Sequence, residues 1–118
     1  MKIEVSREGS VTVVEPLEAR LDAQRAIGFK AELTRLVDAG EHQIVLDLNR
    51  VEFMDSSGLG AVVAVLKRLG FHGVLIVCGA RAPVAALFKL TRMDKVIKLI
   101  ATREEALAAV AVEALGKS

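Results

Sequence analysis

The chain has 118 residues, 53% hydrophobic and 26% charged, and its 16 Lys and Arg stand against 15 Asp and Glu for a net charge of +1. That length suits a single domain with a full core, expected over residues 1–118. Mixed charges, no Trp or Tyr and only four Phe exclude a basic stripe or stacking platform for nucleic acid and a polybasic patch for a membrane.

The single cysteine, Cys78, excludes an internal disulfide and a cysteine-rich metal site, and its place at the end of an apolar run reads as a small buried hydrophobe. Met1-Lys2-Ile3-Glu4-Val5 alternates like a strand and lacks the apolar centre of a signal peptide. No apolar segment is long and uncharged enough to cross a bilayer, so the expected location is the cytoplasm.

In chain order, Ile3–Ser6 and Val11–Val14 flank Glu8-Gly9-Ser10 as two strands of a hairpin. From Ala23 the period becomes helical, with Ala26, Phe29, Leu33, Leu36 and Val37 on one face, Asp22 as cap and Gly40 as stop. Ile44–Leu48 is a nearly continuous apolar run, as expected of a strand covered on both faces. A second helix follows Asp55-Ser56-Ser57 and runs to about Leu69, with Gly70 and Gly73 as breakers. Val74–Cys78 is the next buried strand, and Pro83 opens a short helix that turns Val84, Leu87 and Phe88 inward. Val96–Ile100 reads as a last strand. Thr102 and Glu105 form a capping-box pattern before a helix with Leu107, Val110, Ala114 and Leu115 on one face. The order ββαβαβαβα predicts an α/β fold with four helices and a mixed, mostly parallel sheet carrying an N-terminal hairpin.

The chemistry concentrates in Met54-Asp55-Ser56-Ser57-Gly58-Leu59-Gly60, where a strand hands over to a helix. Free N–H groups and the positive end of a helix dipole make such a junction hospitable to a phosphate. On a helical wheel Leu59, Val62, Val63, Leu66 and Leu69 share the core face, while Ser57, Ala61, Ala64 and Arg68 share the opposite one. Ser56 is then the expected cap and Ser57 the outward hydroxyl. Ala61, Ala64 and Val65 form a small apolar strip expected to be exposed for docking, with Arg68 on the same face toward an acidic partner. Gly58 and Gly60 are each unfavourable in a helix by about 1 kcal/mol against Ala, which fits a backbone that something approaches closely.

Enzymatic readings are weaker. The chain lacks Gly-x-Ser-x-Gly, and its two histidines, His42 and His72, precede strands, at the sheet end away from the serines. No ligand cluster for a metal and no phosphate loop or dinucleotide fingerprint is present, so no cofactor is expected.

Val51-Glu52-Phe53-Met54-Asp55-Ser56-Ser57-Gly58-Leu59-Gly60, following Ile44–Leu48, resembles the signature of STAS domains, specifically the bacterial anti-sigma factor antagonists. The likeness extends to Arg20-Leu21-Asp22-Ala23, to Val77-Cys78-Gly79 and to Val84–Phe88, and so covers nearly the whole chain. It departs at Ala19, where a Gly-x-Leu-Asp pattern would have glycine. The resemblance implies partner switching. The unphosphorylated protein would bind an anti-sigma factor that is also a serine kinase of the histidine-kinase-like ATPase type, freeing a sigma factor. Phosphorylation of the second serine, Ser57, would end that binding, and a serine phosphatase would restore it. Asp22 would lie near Ser57 and shape the contact surface, which the wheel and the resemblance together place on Asp22, Asp55, Ser56, Ser57, Gly58, Leu59, Gly60, Ala61, Ala64, Val65 and Arg68. The alternative within the same resemblance is a STAS scaffold or regulatory subunit of a signalling assembly or transporter.

Overall fold

In the computed structural model, which describes residues 1–116, the N-terminal hairpin is formed by β1 (Ile3–Glu8) and β2 (Val11–Pro16). They pair antiparallel with Val5 opposite Val14, and the turn places Gly9 at φ +62°, a left-handed conformation that glycine adopts without strain. β4 (Gln43–Asp47), β6 (Val74–Cys78) and β7 (Lys98–Ile100) extend the sheet in parallel, in the order β1-β2-β4-β6-β7. β4 and β6 are five-residue runs bearing Ile, Val and Leu, and their inner residues are buried on both faces.

The crossovers all advance along the sheet in the same direction, so one handedness lays the intervening helices on one face. These are α1 (Ala23–Asp38), α2 (Ser56–Leu69) and α3 (Ala82–Leu90). Phe29 and Leu33 of α1, Val62 and Val65 of α2, and Val84 and Phe88 of α3 pack there with Val14, Ile44, Leu46 and Val77. After β7 the chain passes to the opposite face, where Ala106 and Val110 of α4 (Arg103–Leu115) cover Val11, Val13, Val45, Val74, Ile76 and Cys78. The strands' alternation therefore supplies two cores, the larger under three helices.

The four helices and the mixed sheet follow the sequence expectation. Two short strands do not appear in it: β3 (Arg20–Leu21) and β5 (Phe53–Met54) form a separate parallel pair, with Leu21 opposite Met54. Two-residue strands are too short to show a period. The last strand is shorter than expected, and Val96 is exposed while Ile97 is buried ahead of it. In α4 the buried residues are Ala106 and Val110, with Leu107 and Ala114 partly covered and Leu115 at the surface. Thr102 caps this helix by accepting from the Glu105 N–H at 3.2 Å. Its hydroxyl donates to the Glu105 carboxylate, so the box closes through side chains.

Candidate functional site

The β3–β5 pair decides the geometry of the site. Leu21 and Met54 stand side by side, and the next residue of each strand is a helix cap, Asp22 for α1 and Asp55 for α2. Two helix N-termini therefore open beside each other at one end of the molecule. Asp22 accepts from the Arg25 N–H at 3.2 Å, and Asp55 accepts from the N–H groups of Ser57 at 2.9 Å and Gly58 at 3.1 Å. The cap of α2 is thus Asp55 rather than Ser56. A carboxylate set one residue earlier has the reach to span two N–H groups, and it also answers the helix dipole.

Ser56 and Ser57 are both exposed, on either side of α2. Ser57 lines a cleft of about 210 Å³ against α1, together with Ile27, Lys30 and Gly60. Ser56 lines a groove of about 390 Å³ on the other side, with Gly60, Ala64, Lys67, Thr91 and Met93. Among the described residues the Ser57 hydroxyl has no hydrogen-bond partner, so its oxygen is open to modification.

The expected exposed apolar strip is not there. Ala61 and Val65 are 3% and 0% exposed, and the α1–α2 packing covers them. Ala64 is half-buried at the α3-side groove, and Val63 and Leu66, expected in the core, are only partly covered. The buried face of α2 is rotated by roughly 60° from the expected one, because this helix rests against a neighbouring helix as well as the sheet. Leu59 is buried at 6%. Gly58 is buried too, and a Cβ on it would stand 2.3 Å from the Leu21 carbonyl oxygen. Its small size serves the protein's own β3 rather than a visitor. Gly60 alone fits the expectation of an open backbone, with nothing within 4 Å of an added Cβ.

The charges are mostly engaged. Arg68, expected to face an acidic partner, makes a bidentate pair with Asp38 of α1 at 2.7 and 2.8 Å. This hydrogen-bonded guanidinium holds the Asp38 carboxyl below its ordinary value. Asp22 lies 3.2 Å from Arg25 and 3.6 Å from Arg20. Desolvation pushes its carboxyl up, but the Arg25 N–H and guanidinium, helped by Arg20, bring the net direction to below the usual carboxylate value. Arg20 also lies 4.3 Å over the Phe53 ring, an exposed cation–π pair joining β3 to β5. Ile27 at 77% exposure and Lys30 line the site without having been singled out in the sequence. Ile27 carries a signal, being an apolar residue next to the Ala26, Phe29, Leu33 stripe and off its period.

The remaining chemistry-bearing residues lie elsewhere. His42 and His72 are exposed before β4 and β6, at the sheet end opposite the serines. Cys78 is 1% exposed, and burial, reinforced by Asp47, pushes its thiol up to about 12. Among the described residues no group of His, Cys, Asp and Glu is placed to hold a metal ion, and no helix is long and apolar enough to cross a membrane.

Comparison with known proteins places this geometry. The STAS domain family matches residues 2–106. A Bordetella bronchiseptica protein, BtrV, provisionally named an anti-sigma factor antagonist, is 33% identical over 94 residues, which is 79% of this chain and 81% of that protein. The crystal structure of an anti-sigma factor antagonist from Mycobacterium paratuberculosis superposes with a TM-score of 0.86 at 30% identity, over 93% of each chain. The Bacillus cell fate determinant SpoIIAA, solved in its phosphorylated form, shares the fold at 22% identity and a TM-score of 0.71, over 92% of this chain and 99% of that one. With a family match along most of its length and relatives that share both sequence and fold, the chain belongs to the STAS domain family, among the anti-sigma factor antagonists.

Proposed function

We propose that this protein, read as one STAS domain over residues 1–118, is a cytoplasmic partner switch whose unphosphorylated form binds an anti-sigma factor and whose binding ends when Ser57 is phosphorylated. The carrying observation is the exposed Ser57 hydroxyl, unpartnered among the described residues, on the first turn of α2 beside the N-terminus of α1. The family supports the partner class, and the fold relative SpoIIAA has been solved in a phosphorylated form.

The partner, a serine kinase of the histidine-kinase-like ATPase type, supplies ATP. A bond forms between Ser57 Oγ and the terminal phosphorus, the bond to ADP breaks, and the hydroxyl proton passes to a base on the kinase. A serine phosphatase adds water, releases inorganic phosphate and regenerates the hydroxyl. The contact surface consists of Asp22, Ser56, Ser57 and Gly60 with the neighbouring Ala64. Asp55 and Leu59 hold it from behind, whereas Gly58, Ala61, Val65 and Arg68 shape it through packing and pairing within the chain. A phosphate there brings about −1.5 to −2 charge into a surface that must shed water to bind.

Incubation with an active kinase of this type and ATP, followed by intact-mass analysis and peptide mapping, is expected to find one phosphoryl group, on Ser57. None, or one placed elsewhere, refutes the reading. Ser57→Asp, shown to be folded by circular dichroism, is expected to bind the kinase at least tenfold more weakly, a loss of about 1.4 kcal/mol.

A further inference from the structure

On one side the main sheet ends in β7, only three residues long, where Lys98 is held by Glu113 at 3.1 Å. On the other it ends in β1, six residues long, and among the described residues no strand pairs with its outer edge. The Leu17 N–H donates to the Lys2 carbonyl at 2.9 Å, and antiparallel pairing alternates from there. Lys2, Glu4, Ser6 and Glu8 therefore turn their backbone groups toward β2, whereas Ile3, Val5 and Arg7 turn theirs outward. Val5 is 37% exposed. Arg7 is paired with Glu41, but Lys2, Glu4 and Glu8 are exposed and form no ion pair among the described residues.

An unpaired edge is a template for another strand, and the order of charges on this one selects a second copy. Outward groups must meet outward groups, so antiparallel self-pairing about a two-fold axis can centre on Glu4, Val5 or Ser6. Registers centred on Ile3 or Arg7 overlap too little of the strand. Centring on Glu4 sets that carboxylate against its own copy, and centring on Ser6 sets Glu4 against the second copy's Glu8 twice. Centring on Val5 sets Lys2 against the second copy's Glu8 twice, in the closer, non-hydrogen-bonded positions. It also sets Val5 against Val5 and Ile3 against Arg7, so the outward N–H and C=O groups of all three residues are satisfied.

We infer that β1 is a self-association edge, through which two copies of this chain pair antiparallel in the register centred on Val5 and join their sheets across a two-fold axis. The inference is independent of the proposed function. Asp22, Asp55 and both serines lie outside β1, so the dimer presents two sites. A strand pair alone falls below the roughly 1,200 Å² of a stable interface, so the expected dimer is weak, with Kd on the order of 0.1 mM.

Sedimentation analysis up to about 1 mM protein tests this. Lys2→Glu and Glu8→Lys, each shown to be folded by circular dichroism, are each expected to weaken self-association at least tenfold, because each opposes like charges twice. Mixed together, the two variants should associate about as tightly as the parent, since every facing pair is then opposite in sign. Val5→Pro removes an outward N–H and no bond to β2, and should abolish the dimer. A parent that stays monomeric at about 1 mM overturns the inference and leaves the edge to another protein's strand or to none. Association that survives the charge reversals, or a mixture no tighter than the separate variants, also overturns it.

Discussion

Gly58 and Gly60 occupy the same turn of α2 and meet opposite surroundings. At Gly58 an added methyl would run into the Leu21 carbonyl, a backbone atom that cannot swing aside. Gly58→Ala is therefore expected to destabilise the fold by roughly 1–3 kcal/mol even after the helical preference of Ala is counted. At Gly60 nothing lies within 4 Å, so Gly60→Ala is expected to stabilise by roughly 0.5–1 kcal/mol. Urea midpoints of the two variants should lie on opposite sides of the parent; a shift in the same direction for both contradicts the geometry. If the open face of Gly60 receives a partner, the stabilised variant should also bind that partner more weakly. The residue types announced that two glycines were kept here for a reason. That the two reasons differ came from the position of Leu21, a residue 37 positions away from Gly58 in the chain.

At the scale of elements, the α1–α2 pair carries the site, and Asp38–Arg68 ties the two helices near their C-terminal ends. The folded Asp38 carboxyl titrates below its ordinary value of 3.8, because Arg68 hydrogen-bonds to its charged form. Its contribution is fully present above that ordinary value and is lost as pH falls through the lower, folded one. The stability difference between the parent and Asp38→Asn should accordingly be constant near neutrality and fade below about pH 4. Asp22 and Glu32, also lowered by arginine partners, shift in the same direction, so Asp38→Asn keeps part of the parent's acid dependence. Urea titrations across this range, repeated at high salt to screen the exposed pair, measure it. Three of the four boundaries of these helices are marked locally, by Asp22, Gly40 and Gly70. The pairing of β3 with β5 needed the tertiary structure, although Arg20-Leu21-Asp22 and Phe53-Met54-Asp55 repeat one pattern, an apolar residue before an aspartate cap.

Across the whole molecule, the sheet's second face depends on α4, and a polar cluster fastens that helix down. Arg103, its first residue, reaches Asp47 Oδ2 at 3.1 and 3.0 Å and Glu15 at 3.2 Å. Asp47 is only 7% exposed. Arg103→Leu leaves that carboxylate without its counter-charge and is expected to cost about 2–4 kcal/mol, with Arg103→Lys recovering part of it. Denaturant midpoints test this, and a change below about 0.5 kcal/mol, the scale of an ordinary surface substitution, counts against it. The cluster joins residues from β2, β4 and α4, drawn from three distant parts of the chain. No local pattern announces such an arrangement.

By itself the sequence determined the succession of the four helices and of the five strands of the main sheet, the caps at Asp22 and Thr102, the burial of Cys78 and the outward position of Ser57. Period, cap chemistry and turn residues act over a few neighbours, so they can be read from a few neighbours. Only the tertiary structure decided that Ala61 and Val65 lie against α1, that Gly58 is closed by Leu21, that Arg68 belongs to Asp38, and that Lys30 shares a cleft with Ser57. An apolar side chain states that it will be buried and leaves open what will bury it, and a charge finds its partner through space. The same limit explains the cap of α2: three polar residues in succession all have the chemistry, and in the fold Asp55, directly after β5, is the one that accepts from the Ser57 and Gly58 N–H groups.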